Sequence, residues 1–584
     1  MGNYGGNAKA DFASSGLHFI EKPIRIGSGT HLKANPGCRL CGGKRVCAEK
    51  GEDGRYYIPL ENPAPILSRG FGRSISPSHP ELFIDGKPLV MTRYPRGGFL
   101  TMTAFPEYHI DNGSESGKME NGFFYEDDGP KKWNIVSGIG VFGYWAYDWS
   151  PTRERIDVLD AEKGFVRCLP PYGTYCYHRN QRFYFFNIPD EVTEPGDYAI
   201  DFEAGRICFL PFEDTDMDTA EIIVSDTEKP ILLIENADDV VLEGFTVEAC
   251  RGSAVLIRNS SNVRITGCSF RNIGNRAMNI EQSKGVLVDH CLVQDTGDGG
   301  IQIWGGDRKT LERAEVTVEY CHLHDISKWD TCYEPPIRLY GVGLTARFNR
   351  IHDCPHSAIL FGGNYISITD NEIFRCVLET GDAGAIYGGR DYTFRGNEVS
   401  RNFIHHLGGR IGLGTMAIYN DDCMSGTIMR DNVIYKVQRG CFLGGGRDFV
   451  VDGNVFVDCH PAIEADGRGT SDDAMWRSMI RGVLNETFYG IGGNTPLYLT
   501  RWPELGEIDA YYRERPDPYI IPTARISRNV FCDLDENERI RYTWCTADGE
   551  FREEHNRVIT KDELKFYVTP EVYDVIVQDI EEKW

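Results

Sequence analysis

The sequence predicts an all-β fold: a right-handed parallel β-helix (solenoid) carrying an inserted antiparallel, β-sandwich-like domain. Three observations predict it. First, from about Pro230 to Cys459 the chain repeats one unit: an apolar strand, glycines, a second strand, then Cys or Asn shortly before another apolar residue. That last position falls at Cys268, Cys291, Cys321, Asn349, Asn371, Asn397, Asn432 and Asn454 and returns at Asn529, with spacings of 23, 30, 28, 22, 26, 35, 22 and 75 residues. A minimum near 22 with occasional insertions is one coil of a β-solenoid with loops bulging from some turns. Second, the strand before the glycines aligns from coil to coil as AMNIEQ, GIQIWGG, PIRLYG, AILFGG, AIYGGRD, AIYNDD, CFLGGGRD and AIEADGRG. Third, residues 60–225 lack this period and read instead as strand–turn–strand units.

Four segments follow. Residues 1–60 are Gly-rich with short β stretches and are expected to cap the solenoid or supply its first coils. Residues 61–225 form the antiparallel insertion: LFID-GK-PLVM carries an Asp85-Gly86 hairpin signal, and RIDVLDAEKGFVRCL and DYAIDFEAGRICFLPF are paired strands. Residues 226–470 are the solenoid and the expected catalytic domain. Residues 471–584 hold a loop-rich stretch with helical potential, one last coil at ARISRNVFC and a C-terminal cap, which covers the unpaired edge of an open solenoid.

Composition removes several classes of function. With 87 acidic against 62 basic residues the net charge is −25, which opposes binding to nucleic acid or to anionic membranes. No apolar run reaches membrane-spanning length. MGNYGGNAKADFASS has no basic start followed by an apolar stretch, so a cytoplasmic location is expected, or a secreted one if a leader has been removed. The 18 cysteines then read as reduced thiols, several of them filling stacked interior slots. Cys38-Arg-Leu-Cys41 resembles half a zinc site, but no second pair follows. Neither a metal nor another cofactor is expected.

With side chains alternating in and out, the aligned strands point Met278, Ile301, Ile337, Ile359, Ile386, Ile418, Phe442 and Ile463 inward. The outward rows become Asn279, Gln302, Arg338, Leu360, Tyr387, Tyr419, Leu443, Glu464, and Glu281, Trp304, Tyr340, Gly362, Gly389, Asp421, Gly445, Asp466. Aromatic rings standing around a glycine-cleared floor, with acids and arginines beside them, suit a pyranose: an apolar face stacks, and its hydroxyls find partners. Trp304, Arg338, Tyr340, His356, Glu379, Tyr387, Arg390, Tyr419, Arg447 and Glu464 are the candidate substrate-binding residues. A glycosidic bond is cleaved by two carboxylates, and Asp382, Asp421 and Asp422 are the catalytic candidates. Along a straight strand Asp382 and Asp422 would lie more than about 20 Å apart, at about 3.3 Å per residue. Either the chain bends at its glycines, or the pair is Asp421 or Asp422 with an acid such as Glu464.

ELFIDGKPLVMTRYPRGGF, FGYWAYDWS, GDYAIDFEAGRICFLPF, GGDRKTL, PHSAILFGG, LETGDAGAIYGGRD, AIYNDD and GGGRDFVVDGNVFVDC resemble the right-handed parallel β-helix glycoside hydrolases of the family 141 type and their uncharacterised relatives, over about residues 75–470. The resemblance implies a β-helix interrupted by a β-rich insertion, activity of the α-L-fucosidase or xylanase kind, and two catalytic aspartates roughly 40 positions apart. Asp382 and Asp422 fit that spacing, with Asp421 adjacent.

The leading expectation is therefore a glycoside hydrolase of plant-type oligo- or polysaccharides. A polysaccharide lyase or uronate epimerase is the alternative, because Arg338, Arg390 and Arg447 offer cations for a uronate. A non-catalytic carbohydrate-binding β-helix comes third, weakened by acids that add little to neutral sugar binding at a cost in desolvation. The expected partner is a saccharide; sugar, linkage, stereochemistry and oligomeric state stay open.

Overall fold

The computed structural model describes residues 11–61, 63, 65–73, 76–408, 414–515, 518–543 and 549–579. Three parallel sheets of 13, 12 and 12 strands run the length of a right-handed β-helix. The first coil comes from the N-terminus: Gly16–Phe19, Ile24–Ile26, His31–Lys33 and Cys38–Cys41 join the three sheets, and the chain returns to them at Leu232–Glu235. Between these, antiparallel strands begin already at Gly43–Arg45, which pairs with Ile222–Ser225, and Tyr56–Pro59 pairs with Arg206–Phe209. The insertion thus starts some 18 residues ahead of the expected boundary at 61, because short strands around Lys44 and Tyr57 look alike in sequence whichever sheet receives them.

The core is a column of stacked apolar side chains. In Met278–Glu281 the first and third residues are buried and the second and fourth half-exposed. The register runs Met278, Ile301, Ile337, Ile359, Ile386, Ile418 as expected. At the next coil it runs to Cys441, not Phe442. Gly440 takes the place that alanine holds in neighbouring coils, and a Cβ there would lie 2.2 Å from the Ala462 carbonyl oxygen. This moves Phe442 into the outward row between Tyr419 and Glu464, turns Leu443 inward, and sets Gly444 rather than Gly445 beside Asp466.

At the opposite corner Asn349, Asn371, Asn402, Asn432, Asn454, Asn529 and Asn556 form one ladder. Each Oδ1 accepts the backbone N–H and the side-chain amide of the asparagine one coil before, at 2.9–3.1 Å. Asn397 is not in it: its Oδ1 caps Ile366 N–H at a different corner. Asn397 and Asn402 both precede an apolar strand, and only the backbone path distinguishes them. Cys268, Cys291 and Cys321 continue the ladder toward the N-terminus, Cys321 N–H donating to Asn349 Oδ1, with each thiol reaching a carbonyl of the coil before. Cys38 faces the solenoid core and Cys41 the insertion, so the pair points to opposite sides of one strand.

Helices Ala474–Met479, Asn485–Ile491, Pro496–Arg501 and Leu505–Glu514 pack around Tyr392 and Cys423 on one flank, and Pro570–Gln578 covers Tyr435 and Val457 on another.

Candidate active site

The strands Ala383–Gly389 and Thr415–Asp421 are neighbours, with Tyr387 beside Tyr419 and Gly389 beside Asp421. Left-handed residues stand at the limits of the pair, Asp382 (φ 53°) before the first strand and Asp422 (φ 45°) after the second. Short polar side chains tolerate that conformation. Between them the chain curls: a Cβ on Gly384 would meet the Tyr419 Cβ at 2.6 Å, so only glycine lets the tyrosine lean back across the strand. The Tyr419 hydroxyl donates to Asp382 Oδ1 at 3.0 Å and also lies against Asp421. The Tyr387 hydroxyl donates to Asp421 Oδ2 at 3.1 Å. A glycine bend and two tyrosines therefore bring Asp382 and Asp421 into one polar cluster, although the straight-strand spacing would separate them.

Arg468 organises the far side. Its guanidinium holds Asp421 at 2.8 Å, Asp422 at 2.9 Å and Asp466 at 2.7 Å, and it lies over the Trp476 and Phe442 rings. Asp422 is gripped from its other oxygen by Arg390 at 2.5 Å, whose side chain is 64% exposed. Burial, aided by the charge of Asp422, outweighs Arg468 and pushes Asp421 up to about 7. Burial likewise raises Asp382, against the Tyr419 hydrogen bond and Arg468. The tyrosine hydroxyls are held well above the usual phenol range, chiefly by burial and then by neighbouring charge, and stay protonated donors.

The remaining candidates divide. Tyr387, Tyr419 and Arg390 touch the cluster directly. Glu464 stands two coils beyond Asp421, roughly 10 Å along the stack, between Arg439 at 3.3 Å and Arg541 at 3.9 Å. Trp304 and Tyr340 flank the Arg338 guanidinium, 5.4 Å from each ring, on the same outward face. His356 sits behind this face: burial pulls it down to about 3, Thr380 Oγ1 is 2.9 Å from its Nδ1, and Tyr333 covers its ring. Glu379 lies in the loop before Asp382, 3.4 Å from the Tyr144 hydroxyl. Arg447 belongs elsewhere: it is buried against Asp448, Glu507 and the Tyr511 ring, where it fastens the helix Leu505–Glu514 to the solenoid.

Sequence reasoning missed Arg468, Tyr333 and the wall contributed by the insertion. Tyr333 packs edge-on to Tyr387 at 6.0 Å and against Phe71 at 5.5 Å. Behind it Phe71, Tyr147, Trp149 and Tyr175 form an aromatic cluster with centroid separations of 5.0–5.8 Å. The insertion is anchored beside Asp382: Gly381 N–H donates to the Asp148 carbonyl at 3.0 Å, and Arg182 donates to the Glu379 carbonyl at 2.6 Å. The aromatic richness of FGYWAYDWS was visible in the chain. The loop it holds, Glu379 to Gly381 and more than 200 residues away, was not.

The fold places the chain among right-handed parallel β-helices, and a family model described as "Right handed beta helix region" matches residues 229–316 and 310–473. A solved structure described as a glycoside hydrolase has the same fold, with 13% identity and a TM-score of 0.52 over 96% of this chain and 90% of its own. A PL6 family polysaccharide lyase from Pseudopedobacter saltans (13% identity, TM-score 0.32, 56% of this chain and 80% of its own) is also similar. So is a GH87 alpha-1,3-glucanase from Streptomyces thermodiastaticus (9% identity, TM-score 0.30, 88% of this chain and 96% of its own). No curated protein matches the chain.

Proposed function

We propose that the protein is a glycoside hydrolase whose two working carboxylates are Asp382 and Asp421. One observation carries the reading: two half-buried aspartates share a tyrosine hydroxyl at the foot of an aromatic-walled face, and one of them is pushed up to about 7. A carboxyl that keeps its proton near neutrality is a suitable general acid for a departing sugar oxygen. Asp421 takes that role. Asp382, one tyrosine away, serves as the base or nucleophile. Asp422 keeps Arg390 and Arg468 in place, and its charge helps Asp421 retain the proton. Trp304, Tyr340, Tyr387 and Tyr333 give apolar faces for pyranose rings, with α-L-fucosides or xylan-type glycosides as the favoured substrates on the strength of the sequence resemblance.

A lyase acting on uronates is the second reading, favoured by the exposed Arg390 guanidinium next to the acids. It is weakened by the tyrosines, whose hydroxyls stay protonated and so cannot take up the proton a lyase must abstract. The test is a panel of aryl glycosides and plant oligosaccharides, run with wild type and with Asp421→Asn. Release of reducing ends that disappears in the variant supports hydrolysis. From the oligosaccharides, which carry no aryl group, a product absorbing in the ultraviolet establishes a lyase, and turnover unaffected by Asp421→Asn removes the site.

A further inference from the structure

In the insertion, outside the carboxylate cluster, three residues of different chemistry converge. The strand His109–Asp111 pairs antiparallel with Ser114–Gly117, which pairs in turn with Tyr177–His178. Asp111 stands opposite Ser114 and His178 opposite Ser116, so both side chains rise from one face of the three-stranded sheet. Cys176, two residues before His178, joins them there. His178 Nε2 lies 3.1 Å and Cys176 Sγ 3.7 Å from the same oxygen, Asp111 Oδ2, and one donor atom from each of the three lies within 4.8 Å of the others.

We propose that Asp111, Cys176 and His178 bind a zinc-class divalent ion. Tetrahedral zinc with ordinary bond lengths sets nitrogen and oxygen ligands about 3.3 Å apart, and sulfur and oxygen ligands about 3.6 Å apart. The observed 3.1 and 3.7 Å separations need little adjustment. Thiolate, imidazole and carboxylate form a donor set suited to a borderline-soft ion, and oxygen-seeking calcium or magnesium would not choose it. Cys176 gives its proton to solvent as the sulfur binds. His178 also lines an open cleft of about 660 Å³ with Asn112, Ser114, Tyr147 and Asp148, which leaves room for water at a fourth position.

The neighbours suggest what the ion would brace. Tyr147 packs edge-on to the His178 ring at 5.4 Å, and its hydroxyl accepts from Asn112 Nδ2 at 2.9 Å. The next residue, Asp148, accepts the Gly381 N–H beside Asp382. An ion at this point would lock the hairpin to the aromatic loop that faces the cleft. The site stands whether or not the protein cleaves glycosides.

The test is titration of the chelator-stripped full-length protein with cobalt(II), followed by absorbance. Expected are one equivalent bound, a thiolate-to-cobalt band in the near ultraviolet, competition by zinc, and loss of the band in Cys176→Ser. Asp111→Asn should weaken binding by about tenfold or more, a loss seen even for outer partners of a ligand. Absence of the band in wild type, or its survival in Cys176→Ser, overturns the site. If Cys176→Ser does not fold, unchanged cobalt affinity in Asp111→Asn overturns it instead.

Discussion

Two buried polar arrays run through this solenoid, and they differ in what they leave unbalanced. In the asparagine ladder every rung repeats the last: each amide donates to a carbonyl and to the next rung, and each oxygen accepts twice. No charge is involved and every group is paired, which is how a structural array meets the cost of burial. Around Asp421 adjacent coils repeat the tyrosine, Tyr387 beside Tyr419, but not the charged groups. Among the described residues, Asp382, Asp421, Asp422, Asp466 and Glu464 outnumber the arginines Arg390, Arg439, Arg468 and Arg541 that serve them. An excess of buried acid is relieved by holding a proton, and Asp421 is where it sits. One array makes the fold uniform. The other raises a carboxyl far above its ordinary range.

The comparison can be broken most sharply at Asp421. Asp421→Asn and Asp382→Asn should each lower turnover on a cleaved glycoside by at least about 10²- to 10⁴-fold, the contribution of acid–base assistance, while circular dichroism stays unchanged. Wild-type rates in both would move the chemistry elsewhere on the face. Second in size is Arg468→Leu, which strands three acids without their common partner. Losing one side of a buried pair costs about 3–5 kcal/mol, read as a lower denaturant midpoint. Third, Asn402→Ala leaves the Asn371 N–H and the Ile368 carbonyl without this partner. A cost of about 1–3 kcal/mol per orphaned group is expected, with no change in the pH profile of whatever activity remains.

The smallest effects lie in pH. If Asp421 must be protonated to act, kcat/KM falls as pH rises through about 7. Asp422→Asn removes a charge that raises Asp421, so the acid loses its proton sooner and the alkaline limb moves to lower pH. A limb that stays put would separate the two residues. Stability carries the same sign. The folded state holds the Asp421 proton above the ordinary carboxylate value of 3.8 and up to about 7, so this group's contribution is complete below that ordinary value and is lost as pH rises through about 7. Asp421→Asn should accordingly flatten the decline of the thermal midpoint between pH 5 and pH 8.

The repeat itself was legible in the chain. A spacing of 22 or 23 residues, inward isoleucines and Cys-then-Asn positions determine a parallel coil because side chains alternate at every strand and coils stack in register. The inward column was placed correctly through Ile418, and the tyrosines of the outward row with it. It slipped at CFLGGG, where glycine stands in the alanine column, and at Asn397, where two asparagines five residues apart compete for one corner. The tertiary structure alone decided how the candidate residues come together. Asp382 and Asp421 meet because Gly384 lets Tyr419 lean across a strand, the Asp421 carboxyl is raised by desolvation first and by the neighbouring Asp422 charge second, and Arg468 arrives from two coils away. None of these is a property of spacing. Each depends on backbone curvature and on burial, which a one-dimensional pattern of residue types does not contain.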